Sequence, residues 1–444
     1  LYLFEYYTRV VGVRPVLVGL AAGLAIAWDA VSDPLMGVIC DRTRSRLGRF
    51  LPYLLAGGVA LPLSLIVLFN PPSLDAELWQ FPYLLSAYLF LNTALTIIGV
   101  PHLALGSALA SESSVRNELY GWRLVFGTFG LLLGVAGPLI CARWLGLAAD
   151  SDAGLGQSRA AASWLLGGVS LLFTGITVAV AWNRSRAITH TPAFTWSSLR
   201  SSLGAMARNR YFRPLFLSFF LLSLGRAING ILALPYYKYS LQLPEAQVQQ
   251  AVLGLFALCI VGSVILWYGL SKRFGKKRPG LVGMLTLGVM TCVAYPSFPE
   301  GGLVGPMIAA VVGGIAVGSI MLFESMVTDV ADADWLESGE TREGLYFGFW
   351  RMGQKLSSSV GVFLISLVLE AIGYTEGVAE QTESVERGLA WLYGPGVGVF
   401  FLLGALIFMR SPLSFRRERE IQEAVRTRRS AQAGNSSASN LSPP

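Results

Sequence analysis

The chain has 444 residues, of which 53% are hydrophobic and only 14% charged, against about 25% charged in an ordinary soluble domain. That balance excludes a conventional soluble enzyme core and fits an all-α polytopic membrane protein with room for about a dozen spans of roughly 20 residues. The net charge of +7 lies mostly in short loops between apolar runs, which reflects membrane topology and not a nucleic-acid surface.

Taken in chain order, residues 1–8 read as the end of a first span whose beginning is missing. Eleven full spans follow, at 16–39, 51–69, 81–109, 121–141, 161–182, 212–234, 248–270, 280–296, 303–327, 345–369 and 389–409. The loops alternate in charge. Arg42, Arg44, Arg46, Arg49, Arg116, the arginines of 183–213, Lys272 to Arg278, Arg342 and the arginines of the tail fall on one side, which should be cytoplasmic. The polar stretch 183–211 divides the chain into an N-terminal six-helix bundle (1–182, first helix partial) and a C-terminal one (212–409). A cytoplasmic tail (410–444) follows, expected to be disordered from Ser430 onward. The protein is thus expected in the inner membrane if bacterial, with the central loop and C-terminus inside.

The span 16–39 carries two carboxylates, Asp29 and Asp33, four residues apart and so on one helix face. A carboxylate in hydrocarbon costs on the order of 2.5–3.5 kcal/mol on insertion scales. Two in one span need a cation, a proton or a basic partner. Ser32 and Thr96 offer hydroxyls, and hard cations favour such oxygens. The spans hold four bases (Arg123, Arg226, Arg351, Lys355) against four acids (Glu5, Asp29, Asp33, Glu324), a balance that suits pairing in a polar cavity. Lys355 follows Arg351 by one turn and can neutralise the aspartate pair while the cation is away. Trp122, Trp350 and Tyr7 offer aromatic faces to a sugar, with interface or core packing as the alternative.

Two echoes suggest duplication. Arg116-Asn-Glu-Leu-Tyr-Gly-Trp-Arg123 is answered by Arg342-Glu-Gly-Leu-Tyr-Phe-Gly-Phe-Trp-Arg351, and Gly37-x-x-x-Asp41-Arg42 by Gly269-x-x-Lys272-Arg273; duplicated halves are common in transporters. Gly19-x-x-x-Gly23, Gly130-x-x-x-Gly134 and Gly314-x-x-x-Gly318 read as close-packing signals. The acidic segment Asp329, Asp332, Asp334, Glu337, Glu340 reads as a loop able to pair with the basic cluster at 42–49. Walker A, Gly-x-Ser-x-Gly and HExxH patterns are all missing, so no enzyme and no ATP-driven pump is indicated. The four cysteines show no metal or disulfide spacing.

Gly37-x-x-x-Asp41-Arg42 followed by Arg44, Arg46 and Arg49 resembles the loop signature of the major facilitator superfamily. Asp29-Ala-Val-Ser-Asp33-Pro34 followed by Thr43-Arg-Ser-Arg-Leu-Gly-Arg-Phe50 resembles, more narrowly, the glycoside–pentoside–hexuronide:cation symporters. Asp329-x-x-Asp332 and the stretch from Arg342 to Lys355 are similar to that family as well. The resemblance implies two six-helix bundles, alternating access and sugar uptake coupled to Na⁺ or H⁺, with Li⁺ as a further candidate and no other cofactor. It implies a cation site at Asp29, Ser32, Asp33, Thr96 and Lys355. It also implies a substrate region at Arg123, to which Trp122, Tyr7, Arg226, Glu324, Trp350 and Arg351 are added as neighbouring charged and aromatic candidates. Asp41, Arg42, Arg46, Asp329 and Asp332 are the expected gate. Gly99 stands where the family's galactoside carriers have a sugar-holding aspartate, so no galactoside is implied. The expected partners are a small-molecule substrate, a sugar or glycoside with a hexuronide as one candidate because the embedded arginines can hold a carboxylate, and the lipid bilayer, with no nucleic acid and with the monomer as the working unit. The alternative cargo is a lysolipid or other amphiphile; a non-transporting receptor or scaffold is the remaining reading.

Overall fold

The computed structural model describes Leu3 and residues 6–72, 77–110, 113–147, 151–186, 204–244, 248–375 and 380–439. Glu5, counted above among the membrane acids, and the chain end after Ser439 lie outside the described residues. Helix accounts for 86% of the structure, with no strand among the described residues. The helices are α1 (Pro15–Arg42), α2 (Leu51–Phe69), α3 (Glu77–Leu109), α4 (Ser113–Trp144), α5 (Asp152–Arg186), α6 (Phe212–Pro235), α7 (Gly254–Phe274), α8 (Lys277–Ala294), α9 (Val304–Gly318), α10 (Ile320–Ser338), α11 (Glu343–Ala371), α12 (Glu383–Trp391), α13 (Val397–Met409) and α14 (Phe415–Ser439). Among the described residues, eleven stretches are long and apolar enough to cross a membrane, as the hydropathy pattern predicts. Bulky apolar side chains on α4 and α5, among them Phe126, Phe129, Leu131, Leu172 and Val180, are more than half exposed.

The chain forms two compact units that trade segments. One holds Leu1–Leu109, Gly127–Leu199 and Arg342–Lys355; the other holds Ala110–Phe126, Arg200–Thr341 and Leu356–Pro444. The first part of α4 thus packs with the C-terminal half of the sequence, and the first half of α11 with the N-terminal half.

In the first unit, α2 packs on α3 and α5, and α1 on α3. Its core at one end gathers Tyr6, Tyr7, Val13, Val18, Ala21, Leu68, Leu84 and Ala87. Tyr6 and Tyr7 open a single wide π-helical turn, Tyr6–Val10; their hydroxyls donate to the carbonyls of Phe69 (3.0 Å) and Leu68 (2.7 Å). The second unit repeats this device. Tyr236 and Tyr237 open the π-turn Tyr236–Ser240, and the Tyr236 hydroxyl donates to the Tyr295 carbonyl at 2.7 Å. The backbone bonds also match: Val11 to Tyr6 and Val13 to Tyr7 in one, Leu241 to Tyr236 and Leu243 to Tyr237 in the other. This echo supports duplication more strongly than the two sequence echoes and passes unnoticed in the sequence, because only the Tyr-Tyr pair is shared.

Two sequence expectations need correction. The acidic segment is not a loop: α10 runs on to Ser338, and Asp329 and Asp332 are 0% and 3% exposed. Ion pairing there offsets the loss of hydration that ended the span at residue 327 on hydropathy alone. The glycine signals are also reassigned. Around Gly19, Gly23, Gly130 and Gly134 a Cβ would meet nothing within 4 Å. Gly314 does pack closely, since a Cβ there would lie 2.6 Å from the Phe256 carbonyl oxygen.

Among the described residues, the tightest approach of a glycine to another helix's backbone is α1 against α11. A Cβ on Gly37 would collide with the Gly344 carbonyl, one on Gly344 with the Gly37 carbonyl, and one on Gly348 would lie 2.6 Å from the Asp33 carbonyl oxygen. The pairing 37 with 344 and 33 with 348 runs the helices antiparallel, one turn per step. Gly37→Ala is therefore expected to force the pair apart and cost about 1–3 kcal/mol, the usual range for overpacking. A fall in the melting temperature of the purified protein checks this, and an unchanged melting curve contradicts it.

Candidate functional site

The α1–α11 register decides what faces the aspartates. Side chains on a helix lean toward its N-terminus, so Lys355, two turns beyond Gly348, leans back toward Asp33 and Asp29. Its Nζ lies 3.0 Å from Asp29 Oδ2, 3.0 Å from Asp33 Oδ2 and 3.3 Å from Asp33 Oδ1. One ammonium bridges both carboxylates. Thr96 on α3 donates its hydroxyl to Asp33 Oδ1 at 2.6 Å. Asp29, Asp33 and Thr96 are buried. The structure thus brings together four of the five residues expected at the cation site by direct contact, with Ser32 adjacent in sequence.

The oxygen supply exceeds what Lys355 uses. Among the described residues, Asp29 Oδ1 and Ser32 Oγ are buried without a hydrogen-bond partner, and Asp33 Oδ2 has only its ion pair. Pro34 lies inside α1 and lacks the N–H that would bond the Ala30 carbonyl. Such hard oxygens, partly unsatisfied and within one turn, are the donor set a small monovalent cation takes.

One turn before Lys355, Arg351 is half-buried and its guanidinium fills the space a side chain at Gly99 would occupy. Its neighbour Trp350 is 0% exposed. Tyr7 is likewise fully enclosed, with its hydroxyl bonded to Leu68. Neither ring offers a face to a sugar, because both are consumed by packing, and neither is retained below as a substrate residue.

At the basic-loop end of the first unit, Asp41 caps α11. Its carboxylate accepts the N–H groups of Gly344 and Leu345, both at 2.9 Å, where the helix dipole favours an anion. Arg49 lies 3.6 Å from Asp41 and pairs with Glu343. Of the expected gate arginines, Arg42 ends α1 half-buried and Arg46 is exposed. The buried arginine is Arg49, and Glu343 was missed. The register that pairs them joins residues 294 apart in sequence, which no local pattern reveals.

In the second unit, Arg116 bonds Asp329 (3.1 Å) and Asp332 (2.5 Å), and Lys276 bonds Asp329 (2.5 Å) and lies 3.6 Å from Glu418. Arg116, Lys276 and Asp329 are 0% exposed. Asp329 and Asp332 thus share Arg116 of α4, and Asp329 also takes Lys276, just before α8. Further along α4, Arg123 pairs with Glu324 of α10. Arg226 on α6 is exposed. Trp122 is 55% exposed and packs near Phe126.

Long apolar helices with paired charges inside them are those of an integral, multi-pass membrane protein. The chain matches the family model described as MFS/sugar transport protein over residues 1–414 and belongs to that family. It is 24% identical to the putative glycoside/cation symporter YagG of Escherichia coli (strain K12), over 86% of this chain and 81% of that one. It is 26% identical to the sodium-dependent lysophosphatidylcholine symporter 1-A of Danio rerio, over 88% and 77%. Its fold is that of the major facilitator superfamily. The solved proton:xylose symporter XylE superposes with a TM-score of 0.61 at 12% identity, covering 91% of this chain and 89% of that one.

Proposed function

We propose that the protein is a secondary active symporter that carries a sugar or glycoside with Na⁺ or H⁺ by alternating access. The observation that carries this reading is Lys355 bridging Asp29 and Asp33 beside Thr96. An internal ammonium holds the place of the coupling ion. An arriving ion competes with it for the same oxygens and releases it, so binding favours one arrangement of α11 over another; differential affinity of this kind is what any coupling requires. Asp29, Ser32, Asp33 and Thr96 are assigned to the ion, with Lys355 as its tethered competitor. Trp122, Arg123, Arg226 and Glu324 are assigned to substrate passage. We assign the basic-loop end to the cytoplasm, and the clusters Asp41–Arg49–Glu343 and Arg116–Asp329–Asp332–Lys276 to its gate.

The test is uptake into proteoliposomes of a glycoside panel under an imposed Na⁺, Li⁺ or proton gradient. Accumulation of one sugar driven by one of these gradients is expected. Uptake indifferent to all three refutes coupling. The similarity to lysophosphatidylcholine symporters favours a second reading with the same ion site and an amphiphilic cargo. Gradient-driven uptake of lysophosphatidylcholine, with none of any sugar, would select it.

A further inference from the structure

In the first unit α1 and α3 run parallel, and their register reaches further than Asp33. Val18 and Ala21 of α1 share a core with Leu84 and Ala87 of α3. Trp28 Nε1 donates to Thr93 Oγ1 at 2.9 Å, and Thr96 Oγ1 donates to Asp33 Oδ1 at 2.6 Å. Contacts that climb both helices together fix what lies one turn before the last of them. On α1 that residue is Asp29 and on α3 it is Asn92, so Asn92 stands to Asp29 as Thr96 stands to Asp33. The Tyr88 side chain, one turn before Asn92, is near enough to both Asn92 and Asp29 to interact with each. The same stretch of α3 therefore lies beside that carboxylate.

Asn92 is buried inside its span, 8% exposed, where an amide is costly unless it is used. Its Nδ2 donates to the Tyr88 carbonyl at 2.9 Å. Only the nitrogen can donate, so this bond settles which end of the amide is which and leaves Oδ1 to face elsewhere. The fold has no need of the bond, because within α3 the Tyr88 carbonyl already receives the backbone N–H four residues on, that of Asn92 itself. Thr93, the neighbouring polar residue, is used in both directions: it gives its proton to the Leu89 carbonyl at 2.7 Å and accepts from Trp28. Resting on the cation-symport reading, we infer that Asn92 is a further ligand of the coupling ion, its Oδ1 supplying a neutral oxygen on the Asp29 side as the Thr96 hydroxyl does beside Asp33. The assignment bears on which ion is carried. A proton needs one carboxylate oxygen and gains nothing from an amide carbonyl, whereas a small metal cation gathers several hard oxygens. Asn92 turns a pair of carboxylates that either ion could occupy into a site that prefers the metal cation.

The experiment measures equilibrium binding of radioactive Na⁺ to the purified protein, with Li⁺ as competitor and choline as the inert cation. Wild type is expected to bind Na⁺. Asn92→Leu keeps the bulk and loses the oxygen, and should bind Na⁺ more weakly by about tenfold or more, the worth of one polar contact to a charge. Asn92→Ala should weaken it as well, and is read in its place if the leucine variant does not fold. Thr93→Val, one residue away, removes the Trp28 contact but no free oxygen, and should leave Na⁺ affinity unchanged. Asp33→Asn marks the loss of the whole site. Equal weakening in Thr93→Val and Asn92→Leu overturns the inference, since looser packing of α1 on α3 then explains both. Na⁺ binding that Asp33→Asn removes and Asn92→Leu leaves intact overturns it too, and the symport reading stands in that case. A wild-type protein that binds neither Na⁺ nor Li⁺ overturns it a third way. Sugar accumulation under a proton gradient would then keep the symport reading, and no accumulation under any gradient would bring that reading down as well.

Discussion

Replacing Asp33 by asparagine is expected to abolish concentrative uptake while leaving the protein folded and able to bind substrate. Asp33 is the most loaded carboxylate of the site: it accepts the Thr96 hydroxyl on one oxygen and faces Lys355 with both. Asparagine keeps the shape and the hydroxyl contact but loses the charge. Removing one partner of a buried pair costs about 3–5 kcal/mol, and every 1.4 kcal/mol is tenfold in affinity, so the coupling ion should bind about 100-fold more weakly or worse. Lys355 remains paired with Asp29, which limits the structural damage. Downhill exchange of substrate should survive, since it needs no ion gradient. Wild-type accumulation ratios in Asp33→Asn proteoliposomes would remove this carboxylate from the mechanism.

The complementary change, Lys355→Gln, is expected to act in the opposite direction on binding. Without the tethered ammonium, two carboxylates compete for the ion alone, and ion affinity should rise by about tenfold or more. The ion then lacks the group that displaces it, so its release, and with it net uptake, should slow. Ion titration and uptake measured on the same preparation check both halves of this statement. Weaker ion binding in Lys355→Gln would mean that the lysine supports the ion's ligands and does not compete for them.

The part of this site that can be read from sequence is the part written on single helices. Asp29 and Asp33 share a face because they are four residues apart, and their cost in hydrocarbon makes them conspicuous. The partner cation on α11 is suggested by charge balance, and the glycines 37, 344 and 348 set the register that delivers it. Those glycines carry no packing signal in the sequence because their spacing is not that of the usual small-residue motif, whereas Gly19 and Gly23 have the motif and face open space. The ion pairs at the helix ends follow the same logic. Arg49 looks like any of four nearby arginines, and only the tertiary register gives it Glu343 and leaves Arg46 exposed. Hydropathy alone ends α10 too early because it treats every aspartate as hydrated, and three turns of acidic helix become possible once Arg116 and Lys276 are buried against them.

That cluster yields a contrast between two substitutions. Arg116, Lys276, Asp329, Asp332 and Glu418 carry two positive and three negative charges. Four of them meet at Asp329 or at its partners, and all are less than a tenth exposed. Arg116→Gln removes one of these two positive charges and strips Asp332 of its 2.5 Å partner. Asp329→Asn instead leaves two charges of each sign, with Arg116 still on Asp332 and Lys276 still near Glu418, and Gln422 remains next to the new amide. Breaking a buried pair so that like charges are stranded costs about 3–5 kcal/mol, a large fraction of the 5–15 kcal/mol typical of a folded domain. Arg116→Gln is therefore expected to lower the melting temperature of the purified protein severely or prevent its isolation, and Asp329→Asn to lower it by clearly less. A more conservative change, Arg116→Lys, keeps the charge but not the fork that spans both aspartates and Ala110, and should fall between them. Equal melting of Arg116→Gln and Asp329→Asn would show that hydrogen-bond geometry governs this end of the molecule and that the sum of charges does not.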